Sequence, residues 1–464
     1  MTTQGTGLPV NYTDLGLAAA NHLQALLRLD TSNPPGHETR AADYIARFCR
    51  AAGFETEIVE ATPGRGSLIA RLRSPNPTAR PIMLTAHLDV VTVERTKWER
   101  DPFGGELAGQ YIWGRGALDI KSLVAAELAV AMAIADEGLT LDRDLILAFF
   151  ADEETGGGLG AGWLWANRPE LVDAEYAINE GGGTALRVNG QTFYLCQTGE
   201  KGASRLRITA SGSPGHASVP LDDTAMHRLG EALVRLTAWT APTRLTEPVR
   251  QMLKTIAPVL ETSAGEQVGR LLEAPDGELT WDDIAGLGLP FDKDTLDMLR
   301  ATTRDTAVPT IIHGGHRINV IPSEIVLDVD GRILPGTDPK EWRDRVQTVV
   351  GDGVTVELTS EESGIMADPA SPFFEAIAET IGAIDPGAKV APFLVSGGTD
   401  ARNIPGVKVY GFFPFPPSDR TAEYAPLVHG HNERIHVDDL AYGTRFLYDL
   451  VVRFAGRKGF TDQQ

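Results

Sequence analysis

The chain has 464 residues, 42% hydrophobic and 23% charged, which provides apolar material for a large core without cross-links and excludes disorder over most of its length. At about 150 residues per domain this amounts to roughly three domain-sized units, or one large core with one smaller domain. With 42 Lys and Arg against 63 Asp and Glu, the net charge of −21 repels nucleic-acid phosphates and anionic lipid, so neither is expected as a partner.

The 2 cysteines, Cys49 and Cys196, each lie in an apolar stretch and read as small core residues rather than a disulfide framework. Met1 to Val10 lacks a charged region followed by an apolar one, so no secretory signal is read. The longest apolar stretch, near Leu123–Ala135, is interrupted by Glu127, and no run reaches the ~18 residues of a membrane helix. A cytoplasmic, reducing location is the expectation.

In chain order, Asp14 to Ala52 has helical spacing with a break at Asn33-Pro34-Pro35-Gly36. Pro81–Ala86 is a short apolar run that ends at His87, too short for a helix. Lys121–Asp136 is an Ala-rich helix, and Asp144–Phe150 and Ala174–Ile178 are further buried-strand runs. Strands alternating with helices predict an α/β fold with a mixed, largely parallel sheet flanked by helices. The middle of the chain changes rhythm. Ser204–Ala210, Arg317–Ile321, Ile325–Arg332 and Val354–Thr359 read as strands, and Asp222–Thr237 and Pro339–Val350 as helices. That βαββαβ order predicts a ferredoxin-like domain, interrupted by a mostly helical insertion over about 241–309. The expected organisation is a catalytic domain in two parts, 1–199 and 366–464, with the smaller domain inserted over 200–365.

Metal-ligand residue types recur where the strands end. His87 and Asp89 follow the first run, Asp119 precedes the Ala-rich helix, Glu153 and Glu154 follow the second strand, Glu180 follows the third, and His429 lies far downstream. Taken singly, these are a packing histidine, a helix N-cap, solvated charge and turn residues. Taken together they suffice for two divalent cations at about three ligands each, if one carboxylate bridges. Nitrogen and oxygen donors without thiolate suit zinc, with cobalt or manganese as substitutes. Of the adjacent Glu153 and Glu154, one can bind metal while the other faces the water.

The order and context resemble the dinuclear zinc family of aminoacylases, glutamate carboxypeptidases, peptidase T-like enzymes and succinyl-diaminopimelate desuccinylases. The matching stretches are His87–Val91, Gly114–Lys121, Asp152–Gly156, Asn179–Gly182, Ser213–Ser218, Asn319–Glu324, Gly397–Arg402 and His429–Arg434, eight motifs in family order. Phe412-Phe413-Pro414, its separation from His429-Gly430 and the long insertion resemble the carboxypeptidase and N-acyl-amino-acid hydrolase branch.

The resemblance implies one zinc on His87, Asp119 and Glu180 and another on Asp119, Glu154 and His429, with Asp119 bridging and followed by a cis peptide. It implies Glu153 as general base and acid, and Asp89 as the residue that orients His87. The inserted domain resembles a lid and dimerisation domain. Its His216 resembles a residue that steadies the oxyanion in a partner subunit, and its Arg332 one that pairs with a substrate carboxylate. Asn319, Gly398 and Thr399 resemble further substrate contacts. The family spacing selects His429 over the nearby His431. The implied activity is hydrolysis of an amide or peptide bond in a small molecule or short peptide, releasing an amino acid, by a homodimer. A dipeptidase or aminopeptidase, an amidohydrolase of a non-peptide C–N bond, and a non-catalytic metal-binding interaction protein are the alternatives.

Overall fold

The computed structural model describes residues 10–275, 278–289, 291 and 293–456. The chain forms two compact units: Met1–Thr198 with Ala367–Pro392 and Thr399–Gln464, and Gly199–Met366 with Phe393–Gly398. The sequence reading places all of 366–464 in the first domain. In the structure Phe393–Gly398 belongs to the second unit, where the Lys201 amide donates to the Val395 carbonyl at 3.1 Å.

The first unit opens with α1 (Tyr12–Leu27) and α2 (Thr39–Ala51), separated by the Asn33-Pro34-Pro35-Gly36 break. Next come β1 (Glu55–Glu60), β2 (Gly66–Leu72), β3 (Ile82–His87), α3 (Lys121–Asp136), β4 (Leu145–Phe150), β5 (Tyr176–Asn179) and β6 (Gln191–Glu200). Every residue of β3 and β4 is buried. The cause is visible in the alternation of side chains. Leu145, Leu147 and Phe149 enter the main core with α1 and α3, whereas Ile146, Ala148 and Phe150 enter a second core on the opposite face. A strand covered on both sides has no position for a polar alternate, so it reads as a continuous apolar run. Helix α3 is buried nearly all round, and burial pushes the Glu127 carboxyl on it well above the usual carboxylate range.

In the second unit, β7 (Leu206–Ser211), α4 (Ala225–Ala238), β8 (Thr306–Gly314), β9 (Glu324–Ile333), α5 (Pro339–Val350) and β10 (Thr355–Leu358) follow in order. The strands lie in the order β8-β9-β7-β10, all antiparallel, which is the ferredoxin-like arrangement. Leu206, Ile208, Ala210, Leu327 and Val329 face Trp342, Val346, Leu229 and Leu236 of the two helices. One strand differs from the sequence reading. The second full strand is β8, not Arg317–Ile321, of which only Val320–Ile321 is strand and pairs with Gly215–His216. The sequence reading ends its mostly helical insertion at about residue 309. In the structure Pro309 sits at a register shift on a strand that pairs only with β9 among the described residues, where its missing N–H costs no ladder bond.

Lys201 is buried in this unit. Its ammonium donates to the Ala301 and Arg304 carbonyls at 2.9 and 2.8 Å, at the end of the helix Lys293–Thr302, and to Thr306 Oγ1 at 3.2 Å. Burial, opposed by Asp305, pushes its pKa down from 10.5 to about 7. Between those values the native chain holds fewer protons here than the unfolded chain, so this group adds stability as pH rises. Relative to Lys201→Met, the wild-type protein is expected to gain stability from pH 7 to pH 9, measured by urea unfolding of both proteins across the range; parallel pH profiles would refute this.

The chain then returns to the first unit with α6 (Pro372–Ile384), β11 (Lys408–Gly411) and α7 (Val437–Ala455). The sheet order is β1-β2-β4-β3-β5-β11-β6. The four strands β4, β3, β5 and β11 are mutually parallel, and antiparallel strands flank them. His87 pairs with Phe150 in register, so the loops after β3, β4 and β5 leave the sheet at one edge. That is the edge where parallel α/β sheets place their chemistry.

Candidate metal centre

The site is built from the ends of these strands. His87 closes β3 and is 1% exposed. Its Nδ1 lies 3.0 Å from the Asp89 carbonyl, an acceptor only, so Nδ1 carries the proton and Nε2 presents its lone pair when the ring is neutral. Nε2 lies 3.2 Å from Asp119 Oδ1 and 3.7 Å from Glu180 Oε1. The other oxygen of Asp119 lies 2.9 Å from His429 Nε2, which is also 3.2 Å from Glu154 Oε2. Asp119 thus offers one oxygen to each imidazole, and the Asp119–Ile120 peptide is cis. His431 turns elsewhere, with its Nε2 3.9 Å from Glu94.

Asp89 is fully buried. Its Oδ1 accepts from the Glu153 amide and its Oδ2 from the Glu154 amide, both at 3.1 Å. The same carboxylate lies 3.5 Å from His87 Nδ1. One side chain therefore contacts the first imidazole and sets the turn that carries both glutamates.

The electrostatics of the cluster are those of a cation site. Burial opposes charge on His87, yet Glu180, Asp119 and Asp89 raise its pKa well above the ordinary value. Hydrogen bonds to Asp119 and Glu154 hold His429 up to about 10. Burial pushes Glu180 up to about 8, with Asp119, Asp400 and Glu154 acting in the same direction. Glu153 is raised well above its usual range by burial and by the Glu180 charge. Burial works against Asp119 as an anion, but both histidines outweigh it and lower its pKa. So many buried carboxylates around two imidazoles repel each other unless positive charge lies among them. The donors fit bound divalent cations on a further ground: Glu154 Oε1 is buried and has no hydrogen-bond partner among the described residues. Ligand atoms of His87, Asp119 and Glu154 lie within 4.8 Å of one another, as do those of His87, Glu153 and Glu180.

The residues singled out in the second unit form their own arrangement. His216 is exposed on the Gly215–His216 pair, and its Nδ1 accepts from the Ser218 amide at 3.2 Å, which leaves the proton on Nε2. Asn319 is exposed beside it, and its carbonyl accepts from the Ala217 amide at 3.1 Å. Arg332 on β9 pairs with Asp330 at 3.2 Å. Gly398 is half-buried in the second unit. In the first unit, Thr399 is buried, and its hydroxyl accepts from Asn179 Nδ2 at 3.0 Å, next in sequence to Glu180.

Residues 83–453 match the family model of peptidase family M20/M25/M40. The chain belongs to that family. It is 27% identical over 422 residues to aminoacylase-1 of Sus scrofa, covering 88% of this chain and 88% of that protein. It is 28% identical over 400 residues to the probable carboxypeptidase S-like 2 of Dictyostelium discoideum, covering 83% of this chain and 74% of that protein. The fold is also that of the M20 family metallo-carboxypeptidase Sso-CP2 from Sulfolobus solfataricus, with a TM-score of 0.69 over 93% of this chain and 98% of that chain at 17% identity. M20 enzymes are hydrolases with dinuclear metal sites, and this chain is an M20 hydrolase. Among the described residues no helix is long and apolar enough to cross a membrane.

Three groups at the M20 centre escape the sequence reading. Asp400 is buried, its Oδ2 has no hydrogen-bond partner among the described residues, and burial pushes it up to about 7. Glu433 Oε1 accepts from the amides of Leu118 and Asp119 at 2.6 and 3.0 Å. Its Oε2 accepts from the Gly116 amide at 3.0 Å and from Arg115 Nη1 at 2.6 Å. Arg115 Nη2 donates in turn to the His429 and Gly430 carbonyls at 3.2 and 2.8 Å. All three lie inside motifs that the sequence reading quotes. The available signal was a charged residue in a glycine-rich motif with no chemistry assigned to it.

Proposed function

We propose that the protein hydrolyses an amide bond to release a free amino acid, as an N-acyl-amino-acid hydrolase or a carboxypeptidase. The observation that carries this reading is the cluster itself: Asp119 spans two imidazoles, and a second glutamate stands next to a ligand glutamate. The likeness to aminoacylase-1 over 88% of both chains supports the substrate class.

In this reading His87, Asp119 and Glu180 hold one zinc, and Asp119, Glu154 and His429 hold the other, with cobalt or manganese as working substitutes. When bound, the two cations acidify water and polarise the scissile carbonyl. Glu153 accepts the proton of the attacking water and delivers it to the amine nitrogen as the C–N bond breaks, so the proton balance closes on one carboxylate. Asp89 holds His87 and the Glu153–Glu154 turn in place. His216, with its proton on Nε2, donates to the oxyanion in the site of a second copy. Arg332 receives the carboxylate of the amino acid, and Asn319, Gly398 and Thr399 complete the substrate contacts.

The second copy pairs through β8, an edge strand whose Val308, Ile311 and Ile312 are 50–57% exposed. We place the protein in the cytoplasm, in keeping with two buried free thiols.

The test is hydrolysis of a mixed panel of N-acyl-amino acids, C-terminal amides and dipeptides, before and after chelation, with metal content measured on the same sample. About two zinc ions per chain and chelator-sensitive release of an amino acid are expected. Cleavage of dipeptides alone moves the reading to a dipeptidase. No metal and no turnover after adding zinc or cobalt overturns it.

A further inference from the structure

The Asn33-Pro34-Pro35-Gly36 segment separates α1 from α2, and nothing in the proposed reaction uses it. It nevertheless runs beside the metal centre. The Asn33 amide donates to the Val90 carbonyl at 2.9 Å, and the Val90 amide donates to the Thr31 carbonyl at 3.2 Å, which ties this loop to the backbone after His87.

The Asn33 side chain is 5% exposed and has two donor hydrogens. Its Nδ2 lies 2.8 Å from Asp89 Oδ2 and 3.0 Å from Thr155 Oγ1, with Asp152 Oδ1 at 3.4 Å. Thr155 Oγ1 donates to Asp152 Oδ1 at 2.6 Å. Asp152 adopts φ +74° ahead of Glu153 and Glu154, and its Oδ2 accepts from the Leu159 amide at 2.9 Å. One amide therefore bridges two separate supports: the carboxylate that touches His87 and the carboxylate that shapes the glutamate turn.

The far side of this bridge is anchored by charge. Arg65 Nη2 donates to Asp152 Oδ1 at 2.8 Å and to Glu38 Oε1 at 2.8 Å, while its Nε donates to Glu38 Oε2 at 2.8 Å. Glu38 is fully buried, and the guanidinium is 11% exposed on its side chain. Gly36 closes the cradle: a Cβ there would lie 2.2 Å from Arg65 Nε and 2.7 Å from Glu38 Oε2, so only glycine lets the loop pass.

We propose that Asn33 is a positioning residue that locks the His87–Asp89 pair to the Glu153–Glu154 turn, with Glu38 and Arg65 as its anchor. The role rests on the hydrolase reading above, because the parts it aligns are the ligands His87 and Glu154 and the base Glu153. Two carboxylates, Asp89 and Asp152, face one donor group, and removing that donor leaves them to repel each other and splay the two supports.

Asn33→Asp tests this because it keeps the shape and replaces the donor with an acceptor. In the loaded enzyme, kcat is expected to fall about 10–100-fold with KM within about threefold. In chelator-stripped protein titrated with Co2+ and followed by visible absorption, cobalt binding is expected to weaken about 10–100-fold. Thr155 provides a second pair of variants at an exposed position that does not endanger folding. Thr155→Val is expected to reproduce part of the loss in both readouts, and Thr155→Ser, which keeps the hydroxyl, to recover most of it. Cobalt affinity and kcat both within about threefold of wild type in Asn33→Asp would overturn the proposal, as would identical behaviour of the two Thr155 variants. Cobalt binding is read without turnover. A wild-type protein that binds cobalt but cleaves no amide therefore sinks the hydrolase reading alone, and the cobalt comparison still decides the role of Asn33.

Discussion

Glu153→Gln is expected to lower amide hydrolysis by about 10²–10⁴-fold, the range of a single general base, with the cations still bound. Glutamine keeps the volume of the side chain and removes its ability to take a proton. The expectation follows from the turn after β4. Asp89 accepts the amides of both Glu153 and Glu154 at 3.1 Å, so the two side chains leave a fixed backbone in different directions. Glu154 reaches His429 at 3.2 Å, in keeping with its place in the proposed ligand set. Glu153 is left within reach of His87 and Glu180, and burial together with the Glu180 charge raises its affinity for a proton. Metal content measured on the variant separates the two possible roles. Loss of metal would make Glu153 a ligand, and near-normal turnover would remove it from the reaction.

The largest effect on stability is expected from Glu433→Ala. Glu433 and Arg115 pair at 2.6 Å with side chains 0% and 2% exposed. Deleting the carboxylate leaves the guanidinium buried without its counter-charge, a loss of about 3–5 kcal/mol. The amides of Gly116, Leu118 and Asp119 also lose their acceptor. Because Arg115 holds the carbonyls of His429 and Gly430, the backbones of Asp119 and His429 both loosen. Urea unfolding should show the loss of stability, and calorimetric zinc titration should show weaker binding. Glu433→Gln, which keeps one acceptor oxygen, should fall between wild type and alanine. An alanine variant as stable as wild type would show that this pair does not hold the two loops.

The sequence reading locates the elements that carry the centre because their signals are local. A strand covered on both faces is apolar throughout, and β3 and β4 show that in six residues each. Helix α3 reads as helix from its alanines, and the ferredoxin-like order follows from alternation alone. The strand β8 is missed because its first residues fall in the stretch read as a helical insertion, and only its pairing with β9 reveals that Thr306–Pro309 is strand.

What the chain determined by itself was therefore the two kinds of secondary-structure rhythm, the family motifs and the residue types able to bind cations, since each is written in a few neighbouring residues. Which atoms meet was decided by the tertiary structure alone. Asp119 meets His429, Arg115 meets Glu433 across 318 residues, and Asn33 meets Asp89 across 56. These encounters depend on strand order and on where each loop leaves the sheet. Periodicity reports which face of an element is buried, and carries no information about which distant side chain is buried against it.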